Sequence, residues 1–303
     1  MNFTVVIDTL KLQIDFTDSS NQREVMNSIT KAICTTFPFL MVKYDTNTKR
    51  NATLTHSVYS AGKTILKLTS GAYQDSAKNT IYFITVEIAG LKQYSIHDEI
   101  AHNCLVRIVA YFNTNTIDFF YTGIDIAVDM LCPFAYTYGF CNKKAPHVNY
   151  YQVYEPQHHT TTHYIEKYHR THNRVMKRAY LYDKSIKENS LIAPITRFEL
   201  KLQPRFFHKN AYMLHALQSE LDRYHILYFA TLEEKDIALW LYAQHEQSIR
   251  RRDLHKLGLD RYRIYPDTSE IERFLFSLYD IYESDLDLPV AVTDNGFDWD
   301  ELL

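Results

Sequence analysis

Leu10, Leu12, Ile14 and Phe16 alternate with polar residues, so Val5 to Phe16 reads as a first strand with a period of two. Asp18-Ser19-Ser20 follows as the cap of a helix expected to reach about Cys34. Two further strands are expected near Lys63–Thr69 and Ile81–Ile88, joined by a polar turn from Gly71 to Asn79. Ser95-Ile96-His97-Asp98-Glu99 suits a helix start, with acids in the first turn where the dipole favours them; that helix should run to about Phe112. After a turn at Asn113–Asn115 comes an apolar strand carrying two acids, Asp125-Ile126-Ala127-Val128-Asp129. The polar stretch from Asn149 to Asn173 reads as a long hairpin or loop. It precedes two short strands, Tyr180-Leu181-Tyr182-Asp183-Lys184 and Thr196-Arg197-Phe198-Glu199-Leu200-Lys201-Leu202.

Beyond Gln203-Pro204 the spacing turns helical, over Ala211–Leu221, Glu233–Leu254 and about Ser269 to Tyr282. From Glu283 the chain is acidic, and a partly disordered tail is expected there. Strands in the first two-thirds and helices in the last third predict an α+β fold.

The chain has 303 residues, enough for one large domain or two modest ones. Its 24 Tyr and 17 Phe stand against only 7 Gly, and neither a P-loop nor a dinucleotide fingerprint is present, which lowers the case for nucleotide-driven chemistry. A net charge of −3 argues against indiscriminate coating of nucleic acid while leaving room for a local basic groove. Cys34, Cys104, Cys132 and Cys141 show no C-x-x-C spacing, so neither zinc nor a redox pair is indicated. With no leader pattern and no apolar run of ~18 residues, a cytoplasmic, reduced protein with no membrane partner is expected.

Residues two or four apart in a strand share a face, so Asp125 and Asp129 lie together, roughly 13 Å apart, with Ile124, Ile126 and Val128 opposite. Both can hardly hold one metal ion; one would ligate and the other sit nearby. Aspartate is depleted in strands, and two on one face weigh towards function rather than a solvated edge. Glu199 shares its face with Arg197 and Lys201, which fits either cross-strand charge pairing or completion of an oxygen-rich site for Mg²⁺ or Mn²⁺. Tyr182 shares its face with Tyr180 and Lys184; an unperturbed phenol, with a pKa of ~10, needs a cation to act as a nucleophile at neutral pH. Lys184 could steady the developing charge. The histidines His158, His159, His163, His169 and His172 match no strong zinc pattern. The same stretch interleaves Arg170, Arg174, Lys177 and Arg178 with Tyr164 and Tyr168, which suits a single-stranded backbone and its bases. Arg250-Arg251-Arg252 forms a second basic run that fits either a solvated helix face or a duplex-reading helix.

Phe120 to Asp129, Ala179 to Lys184 and Arg197 to Lys201, in that order, resemble the replication initiation factor family of rolling-circle plasmid initiators and related nicking relaxases of conjugative elements. The resemblance covers about Thr80 to Gln203. It implies an antiparallel-sheet catalytic domain of nicking-endonuclease type over 1–205, a helical DNA-recognition and dimerisation part over 206–283, and the acidic tail over 284–303. It further implies Tyr182 as nucleophile, with Asp125, Glu199 and Asp129 as metal-binding acids. Members nick one strand at an origin, stay joined to its 5′ end through phosphotyrosine and leave a 3′-OH primer. The implied partners are origin DNA, duplex and single-stranded, a second copy of the chain, and a replicative helicase. The chain departs from the family at Gly123 and Tyr180, where arginine is common, so Tyr180 stands as the alternative nucleophile. Similar Tyr-Asp-Lys segments occur in filamentous-phage replication proteins. The expected function is therefore a rolling-circle initiator; the alternatives are a conjugative relaxase with the same chemistry and a non-catalytic DNA-binding module on the same fold.

Overall fold

Period-two alternation builds most of this molecule. The computed structural model describes residues 2–47, 53–92, 95–141, 151–155, 160–165, 177–187, 193–209, 216–244 and 255–286. Its elements begin with β1 (Phe3–Phe16), α1 (Ser19–Thr36), β2 (Met41–Asn47), β3 (Thr53–Ser60), β4 (Lys63–Gln74), β5 (Thr80–Ala89) and α2 (Ile96–Thr114). They continue with β6 (Phe120–Met130), β7 (Thr137–Cys141), β8 (Tyr151–Glu155), β9 (Thr160–Tyr164), β10 (Lys177–Asp183), α3 (Lys184–Lys187), β11 (Thr196–Leu202) and α4 (Pro204–Lys209). The chain then forms α5 (Ala216–Leu221), β12 (Tyr224–Tyr228), α6 (Leu232–Gln244), β13 (Arg263–Ile264) and α7 (Ser269–Ser277).

Ten strands form one antiparallel sheet in the order β2-β3-β4-β5-β1-β6-β11-β10-β9-β8. The fold is thus α+β, as the pattern predicts. One face of the sheet is apolar: Leu10, Leu12 and Ile14 of β1, Ile124, Ile126 and Val128 of β6, and Phe198, Leu200 and Leu202 of β11 are buried there. They pack in one core with Met26, Ile29 and Ile33 of α1 and Leu105, Ile108 and Phe112 of α2. The same core includes Leu217, Leu221, Ile271, Leu275 and Leu278 from the last third of the chain. α7 is fixed to the sheet where the buried phenol of Tyr121 donates to the Leu275 carbonyl at 2.6 Å. The amide of Asn113, near the end of α2, donates to the carbonyls of Leu278 and Ile281 at 2.9 and 2.7 Å.

Both helix starts follow the sequence signals. Asp18 caps α1 by accepting from the Ser20 backbone N–H at 2.8 Å, and Ser95 caps α2 by accepting from Asp98 N–H at 3.4 Å. Three expectations need correction. β2 and β3 lie where no strands are expected; β2 is the exposed edge, with Met41 and Tyr44 facing solvent, so its sequence lacks a buried alternation. The last third is not wholly helical, because Tyr224-His225-Ile226-Leu227-Tyr228 inserts as β12 between β7 and β13 in a second, three-stranded sheet. This short run, buried from Tyr224 to Leu227, is too brief to show a period. Finally, the last regular helix stops at Ser277 and tightens into a 3₁₀ turn at Leu278–Asp280. The expected helices over Ala211–Leu221 and Glu233–Leu254 appear as α5 and α6; residues 211–215 and 245–254, like the tail from 287, lie outside the described residues.

Candidate active site

Opposite the core, the four middle strands carry a charged face. Strand register sets it: Thr9 pairs with Asp125, Arg197 with Asp129 and Lys201 with Asp125, while Tyr180 pairs with Glu199 and Tyr182 with Arg197. One more acid joins through a bulge. The β1–β6 register slips between Ile7 and Thr9, so Asp8 is the extra residue and its side chain turns to the charged face beside Thr9. Its carbonyl accepts from Gly90 N–H at 2.9 Å, at the end of the β1–β5 ladder. Gly90 has φ +85°, and a Cβ there would lie 2.8 Å from Asp98 Oδ1, so this support for the bulge requires glycine.

The charges sort into two groups. Arg197 is the hub of the first: its Nε and one terminal nitrogen bind the two Asp129 oxygens, each at 2.6 Å, and the other nitrogen reaches Asp8 Oδ1 at 3.0 Å. Lys184 Nζ adds a 3.0 Å bond to Asp129 Oδ2, and Lys92 Nζ lies 2.9 Å from Asp8 Oδ1. Burial alone would raise the Asp129 carboxyl, but its bonds to Arg197 and the charges of Arg197 and Lys184 outweigh this and hold it below the usual range. Asp8 is lowered in the same way: Lys92 and Arg197 overcome its burial.

In the second group, Lys201 Nζ sits between Asp125 Oδ2 at 2.9 Å and Glu199 Oε1 at 2.7 Å. The Tyr182 phenol donates to the other Glu199 oxygen at 3.2 Å. Burial pushes Asp125 up to about 6 despite Lys201, with Glu199 and Asp8 adding to the rise. Burial and the Glu199 charge also raise both phenols, Tyr180 and Tyr182, whose rings stack at 5.8 Å. Glu199 and Asp8 act to raise both; Asp125 and a hydrogen bond with Glu199 add to the rise of Tyr180, while Arg197 acts to lower Tyr182. Lys187 lies 4.5 Å from the centre of the Tyr182 ring.

The fold therefore brings Tyr182, Tyr180, Glu199, Asp125, Asp129 and Lys184 to one face. Lys184 is not in the strand; it opens α3 and reaches back to Asp129. Asp8 and the bridging position of Lys201 are not expected from the sequence. A signal for Asp8 does exist: the apolar face of β1 includes Ile7 and then Leu10, Leu12 and Ile14, a break in parity at Asp8-Thr9 that marks a bulge. Of the five histidines, His163 is buried against Tyr138, opposite Leu181 and so on the other face; burial, with Lys235 nearby, pushes it down to about 4. His158, His159, His169, His172, Arg170, Arg174, Arg250, Arg251 and Arg252 lie outside the described residues, as do the side chains of Lys177 and Arg178.

No protein-family model matches the chain, and no curated protein is similar to it in sequence. Among solved structures, the fold is similar to that of a rolling circle replication initiator protein from Geobacillus stearothermophilus, with a TM-score of 0.40 and 12% identity over 85% of this chain and 96% of that one. At that distance the likeness assigns no chemistry to this chain. No described helix is long and apolar enough to cross a membrane.

A divalent cation fits one group of charges and not the other. Both Asp129 oxygens are taken by Arg197, and one by Lys184 as well. Asp125 and Glu199 are hard oxygen donors that already hold a cation, the Lys201 ammonium, between them. Among the described residues no three His, Cys, Asp or Glu side chains cluster as a metal site. Two carboxylates suit Mg²⁺ or Mn²⁺ that also takes water and substrate phosphate.

Proposed function

We propose that the protein is a rolling-circle replication initiator that nicks one DNA strand at its origin through Tyr182. The observation that carries this reading is the Tyr182 phenol bonded at 3.2 Å to Glu199, which shares Lys201 with Asp125. A phenol, two carboxylates and cations converge on adjacent strands, in segments that resemble the rolling-circle initiators. The Tyr182 oxygen attacks the scissile phosphorus, the P–O3′ bond breaks, and the chain becomes joined to the 5′ phosphate. The phenol loses its proton and the departing 3′ oxygen gains one, leaving a 3′-OH primer.

Electrostatics explain why a cation is needed. Asp8, Asp125, Asp129 and Glu199 are matched one for one by Lys92, Lys184, Arg197 and Lys201, so these eight groups carry no surplus positive charge for a phosphate and a developing phenolate. Asp125 and Glu199 would hold Mg²⁺ or Mn²⁺, with Asp129 fixing Arg197 and Lys184 beside them. Such an ion would supply charge to neutralise the phosphate oxygens. Arg197 favours Tyr182 over Tyr180 as the residue that bears the phenolate. Origin DNA, duplex and single-stranded, is the substrate; a second copy of the chain and a replicative helicase are the further partners this role calls for.

The test is incubation with Mn²⁺ and labelled single-stranded oligonucleotides tiling the DNA around the gene, resolved on denaturing gels. A protein-linked strand that disappears with Tyr182→Phe is the expected result. A covalent species that survives Tyr182→Phe and is lost in Tyr180→Phe would move the nucleophile. DNA binding without any covalent species would overturn the nicking reading.

A further inference from the structure

The cations of the charged face differ in how firmly they are held. Arg197 and Lys184 side chains are 1% and 6% exposed, and Arg197 spends three of its nitrogens on two carboxylates. Their positions are fixed. Lys201 is 30% exposed, while the carboxylates it joins, Asp125 and Glu199, are 9% and 5% exposed. Its ammonium enters the buried pair from the solvent side on a flexible four-carbon stem and can leave the same way. The next polar groups along the face explain what it does there. Tyr180 and Tyr182 are neutral phenols, and Arg197 is committed to Asp129 and Asp8, so without Lys201 the Asp125–Glu199 pair would be two adjacent buried anions with no direct counter-charge among the described residues. Such a pair is costly and would push its members apart.

A divalent cation and the Lys201 ammonium would seek the same two oxygens, Asp125 Oδ2 and Glu199 Oε1. Both cannot occupy the space between them, and like charges so close repel strongly. We propose that Lys201 is a displaceable counter-ion, which holds Asp125 and Glu199 together in the metal-free protein and must be expelled before a divalent cation can bind there. This rests on the assignment of the cation to Asp125 and Glu199 in the proposed function. Lys201 thereby sets the cation affinity: it keeps the pair assembled, and it makes every binding event an exchange of an ammonium for a metal ion.

The experiment measures Mn²⁺ binding alone, without DNA, from the loss of the free-ion electron paramagnetic resonance signal on titration into the full chain. Lys201→Met removes the competitor and should tighten Mn²⁺ binding roughly tenfold or more, since a single opposing charge at this range shifts such an equilibrium by about one to three decades. Lys201→Gln, neutral but still a hydrogen-bond donor, should tighten it in the same direction and serves if the methionine variant does not fold. Lys201→Arg keeps the charge and should leave the affinity at or below the wild-type level. Mn²⁺ should also raise the melting temperature more in Lys201→Met than in the wild type, because only the variant lacks its own counter-ion. Unchanged or weaker Mn²⁺ binding in both neutral variants would overturn the proposal. Asp125→Asn separates the two levels of the argument: if it leaves Mn²⁺ binding intact, the ion sits elsewhere and the metal assignment itself fails. If Asp125→Asn abolishes binding while the neutral Lys201 variants match the wild type, only the counter-ion role fails.

Discussion

Replacing Asp129 should cost more stability than replacing Arg197, although the two make the same bonds to each other. Asp129→Asn leaves Arg197 and Lys184 buried with their shared carboxylate gone, and in this group of charges Asp8, already paired with Lys92, is left to offset them. The group then carries two excess positive charges where the native one carries one. Removing one member of a buried pair in this way costs about 3–5 kcal/mol. Arg197→Met leaves Asp129 with Lys184 at 3.0 Å and Asp8 with Lys92 at 2.9 Å, so each carboxylate keeps one ammonium and the charges balance. The methionine fills much of the arginine stem's space, so its cost should be nearer ~2 kcal/mol, the loss of charged hydrogen bonds. Urea unfolding at pH 7 in the presence of a chelator measures both. The difference should persist when salt is raised from about 0.1 to 1 M, because buried charges are screened little. Arg197→Met costing as much as Asp129→Asn, or both lying within about 1 kcal/mol of wild type as exposed pairs do, would refute the hub.

Other variants probe the supports of the site. His163 is held neutral by burial, with its pKa pushed down to about 4 from 6.5, so the unfolded chain binds the extra proton first as pH falls. Stability should therefore drop between pH 6.5 and 4, by roughly 3 kcal/mol from this group, and the slope should flatten in His163→Phe; an unchanged slope would show that His163 does not titrate on unfolding. Gly90→Ala places a Cβ against Asp98 at a left-handed backbone position and should cost ~1–3 kcal/mol in urea unfolding; no loss would mean the Asp8 bulge does not depend on it. Tyr121→Phe removes the 2.6 Å bond from β6 to α7 and should cost about 1–2 kcal/mol, while a neutral result would show the Leu275 carbonyl finding water instead.

Much of the site was legible because a period of two fixes which side chains share a face. Asp125 and Asp129, Arg197, Glu199 and Lys201, and Tyr180 and Tyr182 each fall on one side of their own strand, and the register between strands then brings the three sets together. What the pattern could not supply was anything set by that register. The bond from Lys201 to Asp125 joins β11 to β6 and depends on their being direct neighbours; strand order is a tertiary fact. Asp8 was hidden for a different reason, since strict alternation from Leu10 backwards puts it on the apolar face and only the bulge reverses it. β12 was missed because a strand with four consecutive buried residues, Tyr224 to Leu227, carries no alternation at all.

The two aspartates of β6 show how one strand can divide its work. Four residues apart, they face the same way and are equally well buried, yet their carboxyls are pushed in opposite directions. Asp129 meets a guanidinium that binds both its oxygens and an ammonium besides, so it is ionised and fully occupied, and it serves to fix Arg197 beneath Tyr182. Asp125 meets one ammonium that it shares with Glu199, and burial dominates. A carboxylate whose charge is poorly compensated is the one that gains most from a stronger cation, and divergent environments of this kind mark separate roles. Two acids on one strand face thus reduce to one structural anchor and one less compensated carboxyl, which is why the proposed cation assignment falls on Asp125 and Glu199 and leaves Asp129 to hold the arginine.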